Sequence, residues 1–496
     1  MKRNKFICIL FSALILVILF LFLYSKSLTE ITDSMSPLSS VFSENSSHRN
    51  NIINTPNSLS EVRNIKFNDN YKQTILNFAN NFPTSPTYYF SQFGNDKNSG
   101  LSPNNPKKDP TPYIKSGNCT VLLKSGEIFS LSDVLYVGSN IRISTFNGTE
   151  RAGINFLQLN ESPFSLYDKE NNIYSASLNS KFKDTGWISI NGNINWKKKL
   201  EFKLTQDNEY YVDNNNQMLY IKSNLTDLSN TTFSFAAPIS AIQLQNGRNA
   251  IIENLEIFGA GRHGISILTY ENLVVQHCYI HHIGGAIHES TNVKYGNGIQ
   301  VWATSNQNIY IYNNIVSDCF DAGLTAQRNE NAHASSDNIV FANNLVTRCN
   351  YSFEFFQSGT TYKITNVVVC DNIFADALDI TNGYRLTMSS TNFTAHLCLW
   401  HVENPETSVY IENNFAINSQ VYGISFNAKT SFDVYHFKDN TIVLQDCFSP
   451  IKNVKNYTGD SEQFICFNSS DSTLQQYWLQ YYQLCSNFDT KSLLSY

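Results

Sequence analysis

The sequence predicts an all-β protein, a parallel β-helix solenoid preceded by one N-terminal transmembrane helix and a disordered stalk. Three observations carry that reading. Asn is the commonest polar residue of the 496-residue chain, and Asn competes with helical backbone bonds while favouring turns and left-handed corners. From Ala250 onward a unit with period-two alternation recurs, which excludes helical repeats. An unbroken apolar stretch from Phe6 to Tyr24 follows Met1-Lys-Arg-Asn-Lys5, about the ~20 residues a bilayer-spanning helix needs.

Residues 1–27 are expected to form a cytoplasmic tip and signal anchor, because cations precede the span and none lies within it. Everything after Lys26 is then extracytoplasmic. A cleaved signal peptide, giving a secreted protein, is the alternative, although no A-x-A-like site follows the run. Residues 28–85, with "SPLSSVFSENSSHRNNIINTPNS", read as a solvated stalk. Residues 86–450 are assigned to the repetitive body and 451–496 to a C-terminal capping segment.

In the body, alternating apolar residues lead to an Asn or a substitute, an aliphatic residue, a short turn, and often Gly before another alternating strand. "IYIYNNIVSDCFDAGLTA", "IVFANNLVTRCNYSFEFF" and "VYIENNFAINSQVYGISF" show the unit. Equivalent corners are read at Asn254, Cys278, Asn314, Asn344, Asn372, Asn414 and Asn440, with steps of roughly 24 to 42 residues. The L-x-x-L-x-L frame of leucine-rich repeats is missing, and a propeller needs blades of near-constant length. What remains is a coil whose short strands stack on the previous turn about 4.8 Å away. A corner Asn suits it, accepting the left-handed conformation and offering its amide to the next coil.

These segments resemble the pectate-lyase-like right-handed parallel β-helix superfamily. The opening "YYFSQFGNDKNSGLSPNNP" resembles the start of many such proteins, "TVLLKSGEIF" their first coil, and "TLQQYWLQYYQLCSNFDTKSLL" the amphipathic segment after the last coil of some members. The resemblance covers most of Tyr88 to Leu494. It implies the right-handed fold, while the superfamily spans lyases, hydrolases, epimerases, tailspikes and adhesins.

Charged residues are 15% of the chain and the net charge is −6, which gives no basic field for nucleic acid. The ten cysteines include Cys8 in the apolar run, so an odd number lies outside it and complete intrachain pairing is impossible. No C-x-x-C pair suggests zinc, and no cofactor is identified. Polygalacturonase-like hydrolases use clustered acids, but Asn-Thr-Asp, Asp-Asp and Gly-His-Gly are absent. Segments like Trp-Ile-Asp-His of pectate lyases and Asp-Pro-His-Asp of alginate epimerases are absent as well.

Stacking Gly264, Gly298, Gly323 and Gly423 puts Ser266, Gln300, Thr325 and Ser425 on the outward face of one sheet, with Trp302 and Gln327 two places on. In the next coil Glu354 points outward if the preceding turn is one residue shorter than in "CFDAGLTAQ". Asp321, at that turn, and Glu354 are the candidate catalytic acids. Gln300, Trp302, Gln327 and Arg328, with His288 and Tyr295 of the insertion "GGAIHESTNVKYGNG", are the candidate substrate-binding residues. Surface or satisfied roles are expected for His263, His281 and His282. The expected partner is a polysaccharide or glycan, besides the membrane through the N-terminal helix. The expected function is a polysaccharide hydrolase or lyase, or alternatively a non-catalytic glycan-binding or adhesive surface protein.

Overall fold

A computed structural model describes residues 66, 70–82, 86–178, 181–328, 334–385, 394–426, 432–445, 451–452, 463–467 and 472–485. The proposed membrane span, residues 6–24, lies outside them, and among the described residues no helix is long and apolar enough to cross a membrane.

Each coil crosses three parallel sheets in turn. Sheet A runs through Leu135–Val137, Ile299–Trp302, Ala395–Val402 and Tyr422–Phe426. Sheet B holds Cys119–Lys124, Ile141–Phe146, Gln307–Tyr312, Ser336–Ala342 and Ile364–Cys370, and sheet C holds Leu255–Phe258, Tyr279–Ile283, Ile373–Ala377 and Phe415–Ser419. Long strands such as Ile315–Arg328 and Leu345–Gln357 bend from sheet C into sheet A. Inward aliphatics stack in register, as in Ile265, Ile299, Leu324, Phe353, Leu397 and Ile424, all buried. They belong to one continuous core.

The corners explain the Asn content. From sheet B to sheet C the left-handed residue is Asn313 (φ 54°), Asn343 (56°), Asp371 (56°) and Asn413 (51°) in successive coils. The following Asn314, Asn344, Asn372, Asn414 and Asn440 form the amide ladder, each backbone N–H donating to the next side-chain oxygen at 2.9–3.1 Å. The two duties expected of one Asn are thus divided between neighbours. Asn254, itself left-handed at φ 58°, belongs with His277 in the first column rather than with Cys278 in the second. A second ladder, on the outside where sheet B begins, joins Asn118, Asn140, Asn249, Asn272, Asn308 and Asn338, all left-handed.

Two boundaries differ from expectation. Within the stretch assigned to the stalk, Lys72–Asn80 is a helix. Its Ile75, with Phe82 just beyond, buries against Ile251, Val274 and Val340 on the outside of sheet B. The apolar spacing of Ile75, Phe78 and Phe82 supplies this face in an otherwise polar region. The C-terminal helix Ser472–Cys485 is likewise not an end cap. Leu474 and Tyr477 join the outer side of sheet C, in one cluster with Tyr279, Ile315, Leu345 and Phe415.

The body is also not a continuous β-helix. Between Asn155 of sheet C and Ile242 of sheet A the chain builds a separate, mainly antiparallel subdomain. It comprises a four-stranded sheet (Leu157–Asn160, Ile188–Ile190, Asn193–Asn195, Phe233–Ala236) and a five-stranded sheet that includes Ile173–Ser177, Tyr210–Asp213 and Met218–Lys222. Phe164, Tyr210, Leu219, Phe233 and Phe235 give it a core of its own.

Candidate functional site

Strand alternation fixes Glu354. Leu324 pairs with Phe353 and Thr325 with Glu354, while Cys319 pairs with Cys349. The next pair after Cys319 and Cys349 is Ala322 with Tyr351, so two residues intervene in the first strand where the next coil has one, and the register slips by one. The shorter turn expected from the sequence is present. Its counterpart is a bulge at Phe320 and Asp321, which turns the Asp321 side chain out beside sheet A, as an extra residue in one strand does.

The two acids meet there with partners that sequence reasoning missed. Arg385, from the segment between Ile373–Ala377 and Ala395–Val402, donates from Nη2 to Asp321 Oδ1 at 2.7 Å and from Nη1 to the Phe320 carbonyl. Its guanidinium lies over the rings of Phe320, at 4.8 Å, and Tyr351, at 5.5 Å. Trp400 Nε1 donates to Glu354 Oε1 at 2.6 Å, and Thr325 Oγ1 lies 3.5 Å from Oε2. Burial, with the Asp321 carboxylate nearby, pushes the Glu354 carboxyl up to about 8 against the Trp400 bond and the Arg385 charge. A carboxyl held protonated near neutral pH is what a general acid needs.

The remaining candidates fall into three places. Gln300 is buried, and its Oε1 accepts from Asn297 Nδ2 and Gln327 Nε2, both at 3.0 Å. Trp302, half-buried, lies in register beside Gln327. His288 and Tyr295 stand in a hairpin at the other end of this group, each ring about 5.2 Å from its neighbour in the series His288, Tyr295, His263. Arg328 leaves the face altogether: it is buried, donating to the Ala303 carbonyl and lying 4.9 Å over the Tyr362 ring. A residue one step beyond Gln327 has the opposite facing, so alternation itself removes Arg328 from the outer surface.

The expected open groove also needs correction. Ser266, Gln300, Thr325 and Glu354 form the predicted column, which reaches Ser425 through Cys398, but all are buried. Half-exposed surface is left at Trp302, Gln327, Trp400 and the Asp321–Arg385 pair. Among the histidines, His281 Nε2 lies 2.9 Å from Glu256 Oε1 and its Nδ1 2.7 Å from His282 Nδ1. His263 accepts from the Asn297 N–H, and burial pushes it down to about 3. Among the described residues no cluster of His, Cys, Asp and Glu is arranged to hold a metal.

A family model described as the right handed beta helix region matches residues 211–399. The chain is a right-handed parallel β-helix protein. The matched stretch contains the bulge at Asp321, Glu354 and Arg385. No curated protein matches the chain. Among solved structures, the pectate lyase Pel9A is 13% identical, covering 80% of this chain and 82% of its own, with a TM-score of 0.39. The GH136 lacto-N-biosidase from Eubacterium ramulus is 12% identical, covering 80% and 70%, with a TM-score of 0.38. An exopolygalacturonase from Thermotoga maritima is 13% identical, covering 70% and 79%, with a TM-score of 0.36.

Proposed function

We propose that this β-helix protein is a carbohydrate-active enzyme, a glycoside hydrolase whose general acid is Glu354. The observation that carries the reading is the placement of a buried Glu354 carboxyl beside the Arg385-held Asp321 on the outer side of one sheet. In glycoside hydrolysis one carboxylic acid protonates the leaving oxygen while a second carboxylate meets the positive charge that develops, or directs the water. Glu354 fits the first part and Asp321 the second. Half-exposed Trp302 and Trp400 offer ring faces to a sugar.

Elimination suits these residues less well. A lyase needs a base to take the sugar's α-proton. Burial pushes the Glu354 carboxyl up to about 8, which leaves little carboxylate to act as a base near neutral pH, and Arg385 is bonded to Asp321.

The test is turnover of Glu354→Gln on a panel of neutral and acidic polysaccharides, read as new reducing ends and as absorbance of an unsaturated product. A general acid predicts a loss of about 10²-fold or more with binding retained. Unchanged turnover on a substrate that the protein cleaves removes Glu354 from the chemistry. Glycan binding without any cleavage supports an adhesive surface protein instead. The apolar run at residues 6–24 supports membrane anchoring with this site outside the cell, and protection of the body from protease added to intact cells contradicts it.

A further inference from the structure

We propose that Lys294 is a positioning residue of the acid site: its buried amino group ties the inserted subdomain to the segment that carries Arg385, and so holds Arg385 on Asp321. The inference rests on the assignment of Glu354 and Asp321 above, but its test does not need a substrate.

Lys294 is 4% exposed. Its Nζ donates to the Lys198 carbonyl of the inserted subdomain at 2.6 Å and to the Tyr384 carbonyl at 2.7 Å. Both acceptors are main-chain oxygens, on segments far apart in sequence. The carboxylate nearest in this network, Asp184, is already engaged with Lys198 Nζ at 2.5 Å and the Ile287 N–H at 2.8 Å. Burial, with Lys198 nearby, pushes the Lys294 amino group down to about 7, and a buried amino group bonded only to neutral carbonyls is an expensive way to fill space, since an apolar side chain of the same length would avoid the desolvation. What it adds is the fixed position of two peptide groups.

One of those peptides joins Tyr384 to Arg385. The same segment is shaped from within by Asp379, whose carboxylate accepts the N–H groups of Thr381 and Gly383. The Tyr384 hydroxyl reaches the inserted subdomain, 2.9 Å from Glu209 Oε1 and 3.0 Å from Gln206 Oε1. The subdomain's Trp196 stacks on Phe320, the residue whose carbonyl and ring receive Arg385. The subdomain is thereby built into the acid site without contributing a group to Glu354 itself.

The charged and titratable groups facing Glu354 are Asp321, Arg385, Tyr351 and Cys398, the last in register with it on the next strand, together with the Trp400 indole. Those facing Lys294 are Lys198, Asp184, Asp379 and Arg385. If Arg385 leaves Asp321, Glu354 loses a nearby cation and faces an uncompensated carboxylate, so its ionisation moves to higher pH.

Trp400 reports that ionisation, because its indole donates to Glu354 Oε1. The experiment is a pH titration of tryptophan fluorescence, with the Trp400→Phe protein subtracted. Arg385→Met sets the scale and is expected to raise the midpoint by about one pH unit. Lys294→Met is expected to move it in the same direction by at least about half as much, with the fold retained by circular dichroism. Should Lys294→Met fail to fold, Lys294→Gln, which keeps a donor, is expected to give a smaller shift of the same sign. Folded Lys294 variants with the wild-type midpoint, beside a shifted Arg385→Met, overturn the positioning role. Absence of any Trp400-dependent transition in the wild type overturns the acid assignment instead.

Discussion

The division of labour between neighbouring corner asparagines can be tested by glycine rescue at Asn343 and Asn344. Asn343 holds φ at 56°, a region that costs a side chain with a Cβ roughly 1–2 kcal/mol. Asn343→Ala should therefore destabilise by about that much, and Asn343→Gly should recover most of it, since glycine enters this region freely. Asn344 does a different job. Its Oδ1 accepts the Asn314 backbone N–H at 3.0 Å and Asn314 Nδ2 at 3.1 Å. Its Nδ2 donates to the Ile311 carbonyl at 2.9 Å and to Asn372 Oδ1 at 3.0 Å.

Asn344 is fully buried, so no solvent replaces these partners. Truncation strands the Asn314 N–H and removes a donor from the Ile311 carbonyl. At ~1–3 kcal/mol for each of these two buried groups, Asn344→Ala should cost about 2–6 kcal/mol. Asn344→Gly should cost more, because it adds backbone freedom without restoring a hydrogen bond. Equilibrium urea unfolding, followed by circular dichroism and by fluorescence, measures all four variants, provided the two transitions coincide. An Asn344→Gly protein as stable as the wild type, or an Asn343→Gly protein as damaged as Asn344→Ala, refutes the assignment of the two roles.

Other expectations follow from single contacts. Glu354 binds its proton more tightly in the folded chain, about 8 against an ordinary 4.5, so its contribution is complete below about pH 4.5 and is lost as pH rises through 8. At ~1.4 kcal/mol per unit this amounts to a few kcal/mol, and Glu354→Gln should flatten the decline in urea midpoint over that range. A Cβ at Gly298 would lie 2.4 Å from Val316 Cγ1 and 2.6 Å from the Gly323 carbonyl, so Gly298→Ala should destabilise by about 1–3 kcal/mol through overpacking, visible in the same melts. Trp302→Ala should weaken glycan binding by roughly 1–2 kcal/mol if a ring stacks there, by analogy with aromatic stacking on other planar ligands; isothermal titration with a bound oligosaccharide decides it.

The solenoid was legible because its signal repeats. Period-two alternation and recurring Asn give the same answer in coil after coil, and local register errors cancel against the next turn. The outward facing of Glu354 and the shortened turn before it followed from that repetition, as the pairing of Thr325 with Glu354 shows. Assigning both corner duties to one Asn failed because adjacent asparagines, as in Asn313-Asn314 and Asn343-Asn344, look interchangeable in sequence while their backbones differ. The helix Lys72–Asn80 was hidden by its polar surroundings, since its stability comes from the sheet it covers. The subdomain between Asn155 and Ile242 has short strands with turns of its own, so it reads locally like more coil; its antiparallel pairing is a long-range fact.

Arg385 and Trp400 were invisible for a related reason. Neither belongs to the Gly-aligned units used to stack the coils, and what makes them part of the site is convergence at one edge. The inserted subdomain, the hairpin carrying Lys294 and Tyr295, the bulge at Asp321 and the segment carrying Arg385 all leave the coil between a strand of sheet C and one of sheet A. Excursions from one corner of a solenoid stack on one another as the coils do, separated along the axis by only a few strand spacings. Side chains distant in sequence are thus gathered beside the same strands, and the Lys294 bond to Tyr384 and the Arg385 bond to Asp321 are two such meetings. The regular coil fixes where Glu354 stands and buries it, which raises its carboxyl most, while the irregular corner sets the Asp321 carboxylate and the Arg385 charge beside it.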